Sequence, residues 1–237
     1  LIYLTSHKIN TTPNIYLKMN RIPIFLMPGL AAGPEIFENI SLSQEKYEIH
    51  YLKWKKPLDL DETISNYAMR MCEDVKKENP VLVGVSFGGI LVQEMSKFLY
   101  CKKVIIISSV KATDELPRRF KVANFGNLYK LFPTKIITHF EDFSRFFVGK
   151  TLQKRAIIYK KYLSERNETY LKWAIKNVLK WQQNEGIENL IHIHGADDKI
   201  FPICNIKNAI EIENGTHIMI LNKAKKISEI IDKSLTF

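Results

Sequence analysis

Three short stretches of this chain carry a nucleophile, an acid and a base. The first is "GVSFG" (84–88), in which Ser86 stands between two glycines. A serine hydroxyl attacks poorly unless a base removes its proton. A tight strand-to-helix turn helps, because it lifts the hydroxyl above the strand ends, beside the positive end of the next helix. Such a turn crowds its neighbours, so flanking glycines relieve the collision. The same glycines would also suit an ordinary turn. The context favours the elbow: apolar "VLVGV" (81–85) comes directly before, and the helical pattern "GGILVQEMSKFLY" (88–100) directly after.

The acid and base stand downstream, each after a strand-like run. "IHIHGADDKIFP" (191–202) offers Asp197 and Asp198 beyond Gly195. "NAIEIENGTHIMI" (208–220) offers His217 beyond Asn214-Gly215. Asp114, shortly after "KVIIISSV" (103–110), is a third choice of acid. His192 and His194 alternate with isoleucines on one run and read as structural residues. His7, His50 and His139 have no motif around them.

The elements that must position these residues follow from periodicity. Short β-rich runs occur at 22–27, 47–54, 80–85, 103–110, 189–195 and 208–214. Helical patterns occur at 61–78, 88–100 and 219–235. Apolar strands alternating with helices predict an α/β fold, a mostly parallel sheet with helices on both faces. Residues 111–186 break the rhythm. They read as four amphipathic helices, "LPRRFKVANFGNLYKLF", "KIITHFEDFSRFFVG", "TLQKRAIIYKKYLSER" and "ETYLKWAIKNVLKWQQ", inserted into the sheet. The expected organisation is a core of 19–110 and 187–237 with an inserted helical cap at 111–186. Residues 1–18 lack the apolar run and cleavage site of a signal peptide. They read either as a leader outside the core or, through "NIYLKM", as an edge strand.

The order Ser86, Asp198, His217 and the late helical insertion resemble the α/β-hydrolase superfamily, with the likeness running over about residues 22–235. The resemblance implies the following. Its G-x-x-D pattern, with an apolar pair and Pro after it, places the acid at Asp198, with Asp197 the near alternative. The backbone N–H of Phe87, the residue after the nucleophile, is one oxyanion donor. The other belongs to the loop "FLMPGLAAGPEIF", where Leu30 is the candidate. Here Pro28 stands where the superfamily commonly has His. The implied activity is hydrolysis of a carboxylic ester or thioester through an acyl-enzyme, with no cofactor and no metal. The alternative is a catalytically weak ligand receptor or interaction protein of the same fold.

Composition narrows the rest. The 237 residues are 46% hydrophobic and 25% charged, an ordinary globular mixture. Three cysteines, Cys72, Cys101 and Cys204, with no CxxC, argue against a disulfide scaffold or zinc site and favour a reducing cytoplasm. No GxxxxGK[ST], GxGxxG or HExxH occurs. No apolar stretch approaches a membrane span. The net charge of +10 is uneven: residues 111–186 hold 16 Lys/Arg against 7 Asp/Glu, the remainder 19 against 18. This predicts an anionic partner at the cap, such as an acidic carrier protein, a coenzyme A ester or an anionic surface. Nucleic acid is disfavoured because no recognised module accompanies the charge. The insertion holds 13 of the 26 aromatics, which suits an apolar acyl chain, though for most of them a packed cap interior is the better reading.

Overall fold

The computed structural model describes residues 21–124 and 161–236. Six strands form one wholly parallel sheet. They are β1 (Ile22–Met27), β2 (Tyr47–Tyr51), β3 (Val81–Val85), β4 (Lys103–Ile107), β5 (Leu190–Gly195) and β6 (Ile210–Ile212), in the order β2-β1-β3-β4-β5-β6. The chain starts near one side, steps outward to β2, crosses back, and then adds strands in sequence. Ser86, Asp198 and His217 all follow the carboxyl ends of strands, where open α/β sheets bind ligands.

Alternation along the strands divides the interior in two. Phe25, Met27, Leu82, Val104 and Ile106 face one way and pack with α1 (Ile64–Cys72), α2 (Phe87–Met95) and α4 (Glu168–Lys180). Ile24, Leu26, Val81, Val83, Val85, Ile105, Ile107 and Ile193 face the other way, against α5 (Met219–Asn222) and α6 (Ala224–Leu235). Both faces are covered, so the central strands are apolar without interruption. Helix α6 buries Ile227, Ile231 and Leu235, one residue per turn on one face. Helix α1 starts at Thr63, whose hydroxyl accepts from the Asn66 amide at 3.1 Å. The single helix expected at 219–235 is two helices, separated at Lys223 (φ −117°, ψ 17°).

Between β4 and β5 the described residues contain no strand. They hold a short 3-10 turn at Thr113–Glu115, helix α3 (Arg118–Asn124) and helix α4. Tyr170, Trp173 and Trp181 are buried in the same core as α1 and α2. Trp173 meets the Tyr67 ring at 4.2 Å, and its indole N–H donates to Glu62 O at 2.8 Å. For these three aromatics the packing role is the one observed. The leader at 1–18, the expected helix at 135–149 and most of that at 151–166 lie outside the described residues.

Candidate active site

Ser86 directly follows β3 and has φ 53° and ψ −119°. A side-chain-bearing residue in that left-handed region carries on the order of 1–3 kcal/mol of strain. Its surroundings hold it there. The Ser86 N–H donates to Ile107 O at 2.9 Å, and its carbonyl accepts from Gly89 N at 2.9 Å and Ser109 Oγ at 2.7 Å. Both motif glycines are required by space. A Cβ on Gly84 would lie 2.3 Å from Gly88 O, and one on Gly88 would lie 2.3 Å from Pro28 O. The sequence thus folds locally as an elbow because no other residue fits on either side of the serine.

The acid and base loops are locked together by a second glycine pair. A Cβ on Gly195 would lie 2.2 Å from Gly215 O, and one on Gly215 would lie 2.9 Å from Gly195 Cα. At that spacing Asp197 N donates to Gly215 O at 2.8 Å, and Ala196 N to Ile212 O at 3.0 Å. The loops bearing Asp198 and His217 therefore have one relative position.

The structure brings Ser86, His217 and Asp198 into line. His217 Nε2 is 2.9 Å from Ser86 Oγ, and His217 Nδ1 is 2.9 Å from Asp198 Oδ2. Asp198 is buried, and its Oδ1 accepts from the amides of Ile200 at 2.8 Å and Phe201 at 3.0 Å. Burial alone would raise its carboxyl. The hydrogen bond and charge of His217, with the two amides, outweigh that and hold it below the usual carboxylate range. The neighbouring Asp197 is exposed. Asp114 lies 2.5 Å from Lys207 Nζ. His217 therefore faces one carboxylate, and it is Asp198.

Of the two residues expected to supply N–H donors, Phe87 directly follows the serine and Leu30 lies on the loop after β1. Phe87 opens α2 and stacks on Trp54, with ring centres 5.1 Å apart. The loop after β1 runs alongside: a Cβ on Gly29 would lie 3.5 Å from Ser86 Cβ. Trp54 Nε1 donates to Gly29 O at 3.0 Å. Gly29 O and Leu30 N–H belong to one trans peptide and point oppositely. Trp54 Nε1 and Ala32 N, which also donates to Gly29 O at 3.0 Å, thus together fix the plane of the peptide that carries the Leu30 N–H. Nothing in the spacing of the sequence marked Trp54 for this task.

The ends of the insertion also grip the site. Arg119 Nη2 donates to Lys199 O and Ile200 O, both at 2.7 Å, on the acid loop. Phe120 meets Phe201 edge-on at 5.7 Å, and Phe201 meets the His217 ring at 5.5 Å. On the other side, Gly33 N donates to Tyr162 O at 3.1 Å and Glu165 N to Ala31 O at 3.0 Å. Arg119, one of the basic residues counted toward the charge excess, is thus occupied with backbone carbonyls of the acid loop.

His192 and His194 lie buried on β5. Burial pushes His192 down to about 3, and it lowers His194 as well, so both rings are neutral near pH 7. Unfolding returns His192 to an ordinary value of about 6.5. Below that pH the unfolded chain binds the extra proton, so stability falls as pH drops from about 6.5 toward 3. Roughly 2 kcal/mol is expected to be lost by pH 5 through His192 alone. The urea midpoint should therefore fall clearly between pH 7.5 and pH 5, and equal midpoints would show that the histidines are not buried neutral.

Among the described residues, no cluster of three or more His, Cys, Asp or Glu is placed to hold a metal. No helix among them is long and apolar enough to cross a membrane.

No protein-family model and no curated protein sequence matches this chain. Solved structures do. A bromoperoxidase from Bacillus anthracis superposes with a TM-score of 0.63 at 16% identity, over 92% of each chain. An esterase from Exiguobacterium antarcticum gives 0.61 at 16% identity, over 91% of this chain and 92% of that one. The enol-lactonase from Burkholderia xenovorans gives 0.61 at 12% identity, over 92% of each. Their activities differ while their architecture is shared, and at these identities the likeness speaks for architecture alone. With the all-parallel sheet and the elbow after β3, it places this chain in the α/β-hydrolase fold.

Proposed function

We propose that the protein is a serine hydrolase that cleaves a carboxylic ester or thioester through an acyl-enzyme. The observation that carries this is the unbroken chain from Ser86 Oγ through His217 to Asp198, with both contacts at 2.9 Å. His217 Nε2 takes the Ser86 proton as Oγ attacks the acyl carbon. The N–H groups of Phe87 and Leu30 receive the developing oxyanion. Asp198 accepts from His217 Nδ1, fixes the ring and stabilises its cation. His217 then protonates the leaving alcohol or thiol; water attacks the acyl carbon as His217 Nε2 takes its proton, and the acyl–Oγ bond breaks as His217 returns that proton to Ser86 Oγ, releasing the carboxylic acid.

The direct test is labelling by a fluorophosphonate, followed by mapping of the modified peptide. Labelling at Ser86 supports the hydrolase reading. Intact folded protein that stays unlabelled would favour the ligand-receptor alternative. The role of Trp54 at the Leu30 peptide has its own test. Trp54→Phe keeps the ring stacked on Phe87 but removes one of the two donors to Gly29 O, the other being Ala32 N at 3.0 Å. It is expected to lower kcat about tenfold, as for loss of a positioning hydrogen bond, with KM little changed. An unaltered kcat would show that Ala32 N alone holds the Leu30 peptide and that Trp54 is not needed to position it.

A carrier-bound or coenzyme A-bound acyl group is the finer reading, and it rests on the charge of residues 111–186. Within the described part much of that charge is engaged: Lys161 pairs with Glu38, Lys172 with Glu168 and Lys176 with Asp61. If an anionic carrier is recruited, kcat/KM for its ester should fall as salt rises, while that for a small neutral ester stays level. Equal salt responses would leave the small ester as the substrate class.

A further inference from the structure

We propose that Ser109, His192 and His194 form a buried polar brace that positions Asp198 relative to Ser86, so that Ser109 and His194 are positioning residues of the reaction. This rests on the hydrolase reading above.

Two hydrogen-bonded routes join Ser86 to Asp198. The front route is the reacting one, through His217. The second runs behind it through the ends of β4 and β5. Ser109 Oγ donates to Ser86 O at 2.7 Å. Ser109 O is 3.1 Å from His192 Nε2, which is also 3.1 Å from His194 Nδ1. His194 Nε2 is 2.8 Å from Phe201 O and 3.5 Å from Asp198 Oδ2. The Phe201 N–H returns to Asp198 Oδ1 at 3.0 Å. The ring is closed.

The tautomers follow from the partners. A carbonyl only accepts, so His192 Nε2 carries the hydrogen and shares it between Ser109 O and His194 Nδ1. His194 Nδ1 is then the acceptor, and His194 Nε2 carries the hydrogen that Phe201 O requires. Both ends demand the same tautomer of His194.

Simple burial does not account for this arrangement. Ser109, His192 and His194 are each 0–3% exposed, among isoleucines that need no partners. A polar chain in such a place is costly unless every link is aligned, and when aligned it specifies one geometry. Space has been kept for it: a Cβ on Gly89 would lie 2.5 Å from Ser109 Oγ. His194 also stays neutral through burial, so no second cation competes with His217 for Oδ2. The brace thus fixes residue 201, whose amide fixes the carboxylate, and it anchors the far end on the strained elbow itself.

The test is a double-mutant cycle on the full chain. Ser109→Ala and His194→Phe are each expected to lower kcat for p-nitrophenyl butyrate about 5- to 20-fold, with KM changed less than about twofold. In an Asp198→Asn background the same substitutions should alter the rate of fluorophosphonate labelling by less than about twofold, because the side chain they position no longer accepts from His217 Nδ1. An unchanged kcat with a lowered melting temperature would make these residues structural and overturn the proposal. So would the full rate loss repeated in the Asp198→Asn background. Should His194→Phe not fold, Ser109→Ala decides, since Ser86 O keeps its bond from Gly89 N at 2.9 Å. Failure of the hydrolase reading looks different: the wild-type protein would neither turn over the ester nor label at Ser86.

Discussion

Ser86→Ala is expected to abolish fluorophosphonate labelling and to lower kcat for p-nitrophenyl butyrate by about 10⁵–10⁶-fold, the scale seen when a triad nucleophile is removed. The fold should survive. Ser86 Oγ bonds only to His217 Nε2 among the described residues, whereas the elbow is held by backbone bonds that Ala retains. Ala carries the same Cβ, so it inherits the φ of 53° and its strain without adding to it. The melting temperature should move by no more than about 2–4 °C. Neither nearby serine can substitute. Ser108 and Ser109 are fully buried, and the Ser109 hydroxyl is engaged by Ser86 O. Undiminished labelling of the variant would assign the nucleophile elsewhere and reject the mechanism.

Much of this site was legible because tight geometry leaves marks in sequence. Gly84 and Gly88 are needed within van der Waals distance of other backbone atoms, so the elbow shows as G-x-S-x-G. The buried strands show as β-branched runs, since both faces of the parallel sheet are covered. The order of acid and base shows because each loop follows a strand. The site's support was less legible. Trp54 reaches Gly29 across the fold, and no local pattern announces a bond between residues 25 apart. Gly195 and Gly215 lie on two different loops of the sequence, yet they touch each other. His192 and His194 were readable as buried, but their link to Ser109 and Phe201 exists only once β4 and β5 are paired through Ile106 and His192. The helix at 168–180 showed through its period, and packing was the better reading for most of its aromatics. Its aromatics serve the interior, because Tyr67 and Trp54 already wait there for them.

Asp198→Asn is expected to lower kcat by about 10³–10⁴-fold, and Asp197→Asn by less than about twofold. The asymmetry follows from hydrogen positions. In the wild type, Asp198 Oδ1 takes two amide donors and Oδ2 takes the His217 Nδ1 hydrogen. In the variant, the amides of Ile200 and Phe201 will claim the one carbonyl oxygen of Asn. Its NH₂ group must then face His217 Nδ1, and a donor facing that nitrogen requires a lone pair there. His217 is thereby forced into the tautomer with hydrogen on Nε2, the nitrogen 2.9 Å from Ser86 Oγ. A base that already holds its proton cannot take another from serine. The geometry can be nearly unchanged and the rate still lost. Asp197 is exposed and contributes its backbone N–H to Gly215 O, which Asn supplies equally well. Kinetics of both variants on one activated ester, at the same pH as the wild type, decide the matter. Reversed effects would move the acid to Asp197 and break the line from Ser86 to Asp198 on which the mechanism depends.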